Sequence, residues 1–376
     1  MPFKTVLFGN LDRLSWNRWV SGLPDASYAH SWDYLRFMSL LPGLHSHESF
    51  VAFESETAPL AIVPLALSTT GATTELAFPQ STPLPAPALA RLKPSARRRL
   101  LDEIVGKIED AGLAGDAKRC TFRGFSTTEA CADHDPQALT FLFELLRYPL
   151  VLQTTTTLCV DLALNEETLM DNLSKYRRRH ILRAARDGQQ VRVYNAHHEP
   201  RKIREWFDAF HRAHCDSAGR ETQSQPCWDA MADAVEAGFG SLFVSYLGDE
   251  AISFLYCGEF GRVAYGWSQA NRREFEAEHA PRHLLEWEAI RHYKARDFGL
   301  YEIGDRYRWA QPFHDPSPKE VSIAEFKERY GGFLLPKTLW MGYFDRRLME
   351  ADLSLSYSEM IRALPCGLLS RPVRPS

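Results

Sequence analysis

Two separated stretches of the sequence share one pattern: an apolar strand, a short polar turn and a second apolar strand. The first stretch pairs Ser49–Phe53 with Pro59–Leu67, and the second pairs Ser241–Leu247 with Ala251–Cys257. Apolar runs that flank a short turn of this kind are typical of β-hairpins. A hairpin that occurs twice in one chain suggests a duplicated domain.

A further strand and a helix–strand pair follow the second hairpin. The segment Arg262–Ser268 has strand character, Ala280–Ala295 has the periodicity of a helix, and Leu300–Gly304 has the composition of a closing strand. The order β-β-β-α-β is typical of mixed sheets covered by helices. The sequence therefore predicts an α/β fold.

Length and composition narrow the class of protein. At 376 residues the chain suits two domains of ~100–200 residues each. The longest apolar run, Pro59–Leu67, is far shorter than the ~20 residues of a membrane helix, and the N-terminus lacks a signal-peptide pattern. We therefore expect a cytoplasmic protein with no membrane span. Seven scattered cysteines indicate neither a zinc site nor a disulfide framework, so we expect no metal and no tightly bound cofactor.

The segment Lys175–Arg186 is strongly basic in a chain that is not. It has six Lys/Arg and no acid, whereas the whole chain has 44 basic and 48 acidic residues. As a helix it places Leu173, Arg177 and Ile181 in one stripe, so Arg177 needs an internal carboxylate or an anionic ligand as partner. Two interpretations stay open: a solvated basic face with Arg177 in a structural ion pair, or a surface that faces phosphate groups.

Several segments together resemble a known family. In chain order they are Ser27–Trp32, Pro59–Leu67, Leu173–Arg186 with its Ser-Lys-x-x-Arg-x-x-Ile-x-x-Ala pattern, Tyr265–Ser268, Ala280–Ile290, Leu300–Gly304 and Ile323–Gly332. This series resembles the FemAB-type transferases of the GNAT-like superfamily, to which BioF2-like and CelD-type acetyltransferase domains also belong. The resemblance covers roughly residues 25 to 335.

The resemblance implies two tandem GNAT-like lobes that face each other across a cleft, each a mixed, mainly antiparallel sheet flanked by helices. We expect the N-terminal lobe at residues 1–160, the C-terminal lobe at 161–335, and a last segment, 336–376, that packs back on the N-terminal lobe. It also implies transfer of an acyl or aminoacyl group to a small-molecule or peptide amine.

Two departures from the family matter, and only the second bears on the donor. No helix-like stretch inside the second lobe is long enough for the coiled-coil arm of some members, which argues against a peptidoglycan-bridge enzyme proper. The Arg/Gln-x-x-Gly-x-Gly/Ala loop, by which ordinary GNAT enzymes hold the CoA pyrophosphate, is also missing. We therefore favour aminoacyl-tRNA as the donor and keep acyl-CoA as the alternative. A net charge of −4 argues against DNA as a partner.

Three residues are predicted to be catalytic. By the resemblance, Lys327 matches a lysine near the donor phosphate or the reacting carbonyl; the alternative is a solvated helix lysine. Glu302 and Asp305, at the end of a predicted strand, are candidates to accept the amine's proton; the alternative is a helix cap or an ion pair with Arg306.

Eight further residues are predicted to bind substrate. Tyr265 and Trp267 lie on one strand face, where core packing is the alternative, and Lys319 is expected in a mobile loop. The full set is Arg177, Arg178, Arg179, Tyr265, Trp267, Arg282, Lys319 and Phe326. His180 and His211 are lesser candidates for a base. A hypothesis of another class is a non-catalytic module that binds RNA through the segment 175–186.

Overall fold

The computed structural model describes residues 3–55, 58–124, 151–306 and 316–363. Its helices are α1 (Arg13–Ser21), α2 (Trp32–Ser39), α3 (Pro94–Ala114), α4 (Glu166–Asn172), α5 (Lys175–Arg186), α6 (Ile203–Ala218), α7 (Gln225–Glu236), α8 (Arg273–His279), α9 (Arg282–Ala295), α10 (Pro318–Glu328) and α11 (Arg346–Ala363). Its strands are β1 (Lys4–Leu7), β2 (Leu44–His47), β3 (Phe50–Ser55), β4 (Ala58–Val63), β5 (Ala66–Thr70), β6 (Thr73–Leu76), β7 (Leu84–Pro85), β8 (Ala88–Leu89), β9 (Arg119–Gly124), β10 (Val151–Asp161), β11 (Gln189–Tyr194), β12 (Gly240–Leu247), β13 (Glu250–Phe260), β14 (Val263–Asn271), β15 (Leu300–Arg306) and β16 (Phe333–Tyr343).

The strands form one large and one small sheet. The large sheet has twelve strands, in the order β11-β12-β13-β14-β15-β10-β16-β9-β6-β5-β2, with β7 beside β9; the small sheet is β1-β3-β4-β8. Most pairs are antiparallel, and β14–β15, β6–β9 and β7–β9 are parallel. The prediction of an α/β protein with mixed, mainly antiparallel sheets and flanking helices is confirmed.

The first predicted hairpin is correct over β3 and β4, but the apolar run after it is divided. Val63 ends β4 in the small sheet, and Ala66 begins β5 in the large sheet. Pro64 lies between them, and proline has no N–H with which to continue a ladder of hydrogen bonds. The second hairpin, β12–β13, is continuous with β14.

Strand β16 lies in the large sheet between β10 and β9. It pairs with β10 from Val151↔Met341 to Cys159↔Phe333, and with β9 from Thr338↔Gly124 to Tyr343↔Arg119. Both partners fall in the range predicted for the N-terminal lobe, and β16 begins at Phe333, before the predicted last segment. The large sheet continues from β10 to β15, so both predicted lobes share it.

Helix α5 has the predicted register. Leu173, Arg177, Ile181 and Ala184 are buried, while the arginines on its other faces are partly or fully exposed. Ser174 caps the helix by accepting a hydrogen bond from the backbone N–H of Arg177. No helix in the described ranges has the length and apolar character of a membrane span.

Helix α10 corrects one prediction. The sequence places Lys319 in a mobile loop, but Lys319 lies in the first turn of α10. Ser317 and Glu320 form a capping box there: the Ser317 side chain accepts from the Glu320 backbone, and Glu320 accepts from the Ser317 backbone. Pro318 occupies the first turn, where no backbone hydrogen bond needs its missing N–H. Pro316 and Pro318, which suggest a loop in the sequence, thus precede and begin a helix.

Candidate active site

A cavity of about 460 Å³ opens where strands β14 and β15 separate. The two strands share three paired positions, from Val263↔Leu300 to Tyr265↔Glu302. Beyond these, β14 continues along β13 and β15 continues along β10, so a gap forms between them. The lining residues are His214, Ser217, Ala218, Leu255, Gly266, Trp267, Ser268, Gln269, Ala270, Asn271, Glu276, Arg282, Glu286, Ile303, Lys319, Ile323, Phe326 and Lys327. All of them belong to the second lobe, so this cavity is not the cleft between lobes that the resemblance implies.

Lys327 reaches the cavity wall from α10. Its ammonium group donates a hydrogen bond to the backbone carbonyl of Asp305 at 3.1 Å, and it lies over Gly304, whose φ is 117°. A Cβ atom at Gly304 would come within 2.7 Å of Lys327 Nζ. Burial lowers the pKa of Lys327, although Asp305 and Glu302 act in the opposite direction. The lysine is thus half-buried beside a glycine that makes room for it.

Glu302 and Asp305 lie next to each other around one buried cation, Lys337 of β16. Lys337 donates to a carboxylate oxygen of Glu302 and, at 2.8 Å, to one of Asp305, and Thr157 donates to Glu302 at 2.6 Å. Burial opposes ionisation of Asp305, but the charges of Lys337 and of Arg123, 3.5 Å away, hold its pKa below the usual value. The suggested partner Arg306 pairs with Glu328 instead.

A bulge explains how both carboxylates reach Lys337. Side chains three residues apart on a regular strand point to opposite faces. In β15, however, the pairing with β10 shifts by one residue between Leu158↔Gly304 and Cys159↔Glu302. A bulge of this kind changes the direction of the side chains that follow it, so Glu302 and Asp305 can contact the same lysine. Neither Glu302 nor Asp305 is among the lining residues of the cavity within the described chain.

Phe326 lies between two guanidinium groups. Arg282 at the cavity wall is 4.4 Å from the ring centroid, and Arg177 is 3.8 Å from it. Arg177 is 1% exposed, lies 4.6 Å from the ring centroid of Tyr330, and donates to the Phe326 carbonyl at 2.8 Å. It also contacts His283, whose pKa is lowered to about 2 by burial and then by Arg177 itself, so the ring is a neutral acceptor.

These contacts bear on the expected partner of Arg177, a carboxylate or an anionic ligand. Within the described residues the protein groups around it are aromatic rings, a carbonyl oxygen and a neutral imidazole rather than a carboxylate, and the anionic ligand stays a prediction. Such rings attract a desolvated cation through their quadrupoles. Arg178 pairs with Asp171 at the surface, and Arg179 is exposed near Tyr176. None of the three arginines is among the cavity residues of the described chain.

Tyr265 and Trp267 pack against the first lobe. Tyr265 stacks on Tyr28 at 5.5 Å, and Trp267 contacts Tyr34 at 5.3 Å and Phe37 at 5.0 Å between ring centroids. Trp267 also lines the cavity. The aromatic pair therefore ties the cavity wall to the other lobe.

Glu286 and His214 line the cavity but were not expected from the sequence. Glu286 is 4% exposed, accepts a hydrogen bond from the Tyr301 hydroxyl at 2.7 Å, and has its pKa raised by burial. His214 contacts Thr222, and burial lowers its pKa. The sequence pattern that could have indicated Glu286 is an acid within the apolar run Leu284–Trp287, because burial of a carboxyl group costs free energy unless a partner or a function compensates for it. His180 and His211 lie outside the cavity lining given above.

The sequence of the second half matches a known domain family, and the fold of nearly the whole chain is similar to solved structures. Residues 174–311 match the family model described as an acetyltransferase (GNAT) domain. The structure of FemX is similar over 93% of this chain and 99% of its own, with a TM-score of 0.63 at 11% identity. The second half of the chain is thus similar to GNAT acetyltransferase domains, and the whole chain has a FemX-like fold. The matched segment includes α6, β14, α9 and β15, which supply much of the cavity wall.

Two further structures share the FemAB-like fold. One is the C-terminal domain of a putative lysylphosphatidylglycerol synthetase from Agrobacterium fabrum, with 12% identity, 88% of this chain and 91% of that chain covered, and a TM-score of 0.55. The other is L-PGS from Bacillus licheniformis, with 12% identity, coverage of 86% and 90%, and a TM-score of 0.53. No curated protein matches the sequence significantly. The resemblance to FemAB-type transferases is thus confirmed.

Proposed function

We propose that the protein transfers an acyl or aminoacyl group from an activated ester or thioester to an amine, forming an amide. Acyl transfer is the class of activity that the GNAT domain supports. The observation that carries the proposal is the cavity between β14 and β15, where the ammonium of Lys327 lies at the wall of the same cavity as Arg282, Lys319 and Phe326. Three cations around one cavity suit a donor that carries phosphate and a carbonyl that becomes anionic.

Lys327 is the proposed electrostatic group. Amide formation needs a positioned amine, an acceptor for its proton and stabilisation of the carbonyl oxygen as it gains charge. A half-buried ammonium acts through a medium of lower polarity than water, and its hydrogen bond to the Asp305 carbonyl fixes its position. It would contact either the donor phosphate or the developing oxyanion.

We favour aminoacyl-tRNA as the donor and a small-molecule or peptide amine in the cytoplasm as the acceptor. The FemAB resemblance supports this choice, and so does the likeness in fold to the domain named as that of a putative lysylphosphatidylglycerol synthetase, whose product name contains an aminoacyl group. The missing loop for the CoA pyrophosphate points the same way. Acyl-CoA is the second candidate, because the matching family model is that of an acetyltransferase domain.

A non-catalytic RNA-binding module is the alternative from another class. Helix α5 does present exposed cations, but Arg178 is paired with Asp171 and Arg183 with Asp187. These carboxylates reduce the positive charge available to phosphate groups. We therefore rank this alternative below acyl transfer.

The donor is identified by product formation in a mixture of charged tRNA and candidate amines. If aminoacyl-tRNA is the donor, RNase treatment should abolish amide formation. Product that survives RNase and depends on added acetyl-CoA would reverse the ranking of donors. RNA binding that depends on the arginines of α5, without any transfer, would favour the alternative class.

The variant Lys327→Met tests the electrostatic group. Turnover should fall ~10²–10³-fold, as is typical when one such donor is removed. The free energy of unfolding should change by less than about 1 kcal/mol, because relief of the ammonium's burial offsets the lost hydrogen bond. A loss in kcat alone indicates action at the transition state, and a loss in KM alone indicates donor binding. Lys202→Met, at an exposed lysine far along the chain, is the control; wild-type turnover in Lys327→Met would contradict the assignment.

A further inference from the structure

The proposed reaction needs a proton acceptor, and the two carboxylates expected for this role are engaged elsewhere. Glu302 and Asp305 share the buried cation Lys337, and Arg123 adds a second positive charge beside Asp305. A carboxylate that is paired with a cation binds a proton more weakly. These groups therefore suit a structural ion pair better than proton transfer.

Glu286 is placed differently. It projects from α9 into the cavity wall, 4% exposed, and its Oε1 atom accepts from the Tyr301 hydroxyl at 2.7 Å. Among the residues that the structure describes, no lysine or arginine forms an ion pair with it. Tyr301 is itself fixed in the core of the second lobe, so the carboxyl is held in one orientation toward the cavity that Lys327 also lines.

We propose that Glu286 is the general base of the acyl transfer, and then its general acid. This inference rests on the proposed function. The amine nitrogen attacks the donor carbonyl carbon, a C–N bond forms, and the carbonyl oxygen becomes an oxyanion. Glu286 takes a proton from the nitrogen. The bond from carbon to the donor oxygen or sulfur then breaks, and Glu286 gives the same proton to that leaving atom.

The surroundings of Glu286 suit a group that must both accept and release a proton. Burial raises its pKa, while the Tyr301 hydrogen bond and three cations act in the opposite direction. A carboxyl whose pKa lies closer to neutrality than usual serves better in both directions near neutral pH. The titratable and charged groups that face it are Tyr301, Lys327, Arg177, Arg282, Cys257 and Tyr330.

The test compares Glu286→Gln with Glu288→Gln, a change two residues along the same helix at a carboxylate paired with Arg291. With whichever of aminoacyl-tRNA and acetyl-CoA supports turnover, Glu286→Gln should lose ~10²–10⁴-fold in kcat. The KM for the donor should stay the same, and the acidic limb of the pH–rate profile should disappear. Glu288→Gln should retain wild-type kinetics.

The outcomes separate this inference from the proposed function. Full activity of Glu286→Gln, or an acidic limb of the pH–rate profile that persists in this variant, would overturn the assignment of Glu286 while the Lys327→Met result still judges acyl transfer. Absence of transfer by the wild-type protein with either donor would instead overturn the proposed function. If Glu286→Gln melts early, Glu286→Asp provides the same test: the acidic limb must persist in that variant, and its loss counts against the proposal.

Discussion

A guanidinium between two aromatic rings makes α5 sensitive to one of its three consecutive arginines. Arg177→Ala removes a fully buried side chain from between Phe326 and Tyr330, and leaves a cavity and an unpaired carbonyl. We expect a loss of about 3 kcal/mol in the free energy of unfolding. Arg178→Ala and Arg179→Ala should change it by less than about 0.5 kcal/mol, since surface positions rarely matter more. Urea unfolding measures all three; equal midpoints would contradict the register of α5.

Gly304 controls the position of the Lys327 ammonium. An alanine there would be strained at φ 117° and would have its Cβ 2.7 Å from Lys327 Nζ. Gly304→Ala should therefore cost about 1–3 kcal/mol of stability and lower kcat by displacing the ammonium. Gly106→Ala is the control, because this helical glycine faces open space and alanine favours helix. Wild-type kcat in Gly304→Ala would show that the ammonium has no required position.

At the residue scale, some of the cavity residues were predictable from the sequence and others were not. The predicted residues Lys327, Phe326, Arg282 and Trp267 all line the cavity. They could be predicted because they lie in segments that resemble FemAB-type transferases. Glu286 lies within one of those segments, but nothing in a helical pattern separates a working buried acid from a structural one. Whether each of these residues acts in catalysis or binding stays a prediction.

At the scale of elements, β16 supplies Lys337, the cation that pairs with both carboxylates of β15. In Lys337→Met, Glu302 and Asp305 lose their shared partner while they stay largely buried. We expect destabilisation of about 3–5 kcal/mol, as for other broken buried pairs. Lys118→Met, which removes an exposed ion pair with Asp116, should hardly change stability and is the control.

The same variant has a defined pH dependence. In the wild-type protein the pKa of Asp305 is lowered, so its stabilising contribution is present above the ordinary pKa of 3.8 and is lost only as pH falls through the lower folded value. In Lys337→Met, Asp305 loses its nearest cation and keeps Arg123, so its pKa should rise and its protonation should remove an incompletely compensated buried charge. The deficit in stability should be smaller at about pH 5 than at about pH 8. A deficit that grows on acidification would contradict this account.

Elements with local signals were predictable, and those defined by distant pairing were not. The basic helix α5, the hairpin β12–β13 and the helix α9 follow from spacing and composition within a few residues. Strand β16 does not, because its run from Leu334 to Tyr343 contains proline and lysine, and its pairing partners are far away in the sequence. The sequence also predicts a loop at Lys319 where the structure has the first turn of α10, since proline is common both in loops and at helix starts.

At the scale of the whole molecule, the lobes should unfold as one unit. A chain that lacks residues 333–376 would leave β10 and β9 without the strand between them and Glu302 without Lys337. We expect this truncation to be insoluble or to melt far below the full chain, and calorimetry of the full chain to give a single transition. A soluble, fully folded truncation would contradict the shared-sheet architecture. Fold class was predictable from the repeated hairpin and the family resemblance, whereas the place of β16 between β9 and β10 depends on pairing that no local pattern encodes.

The central position of β16 also has a consequence for synthesis on the ribosome. Lobes that emerge first usually fold first, but here the strand between β9 and β10 is translated after nearly everything else that the structure describes. Until β16 is synthesised, the edges of β9 and β10 that face it have no partner strand, and Glu302 and Asp305 have no Lys337 to pair with. Exposed edges of this kind are sites of mispairing with other chains. The nascent protein should therefore depend on chaperones until its last strand closes the sheet.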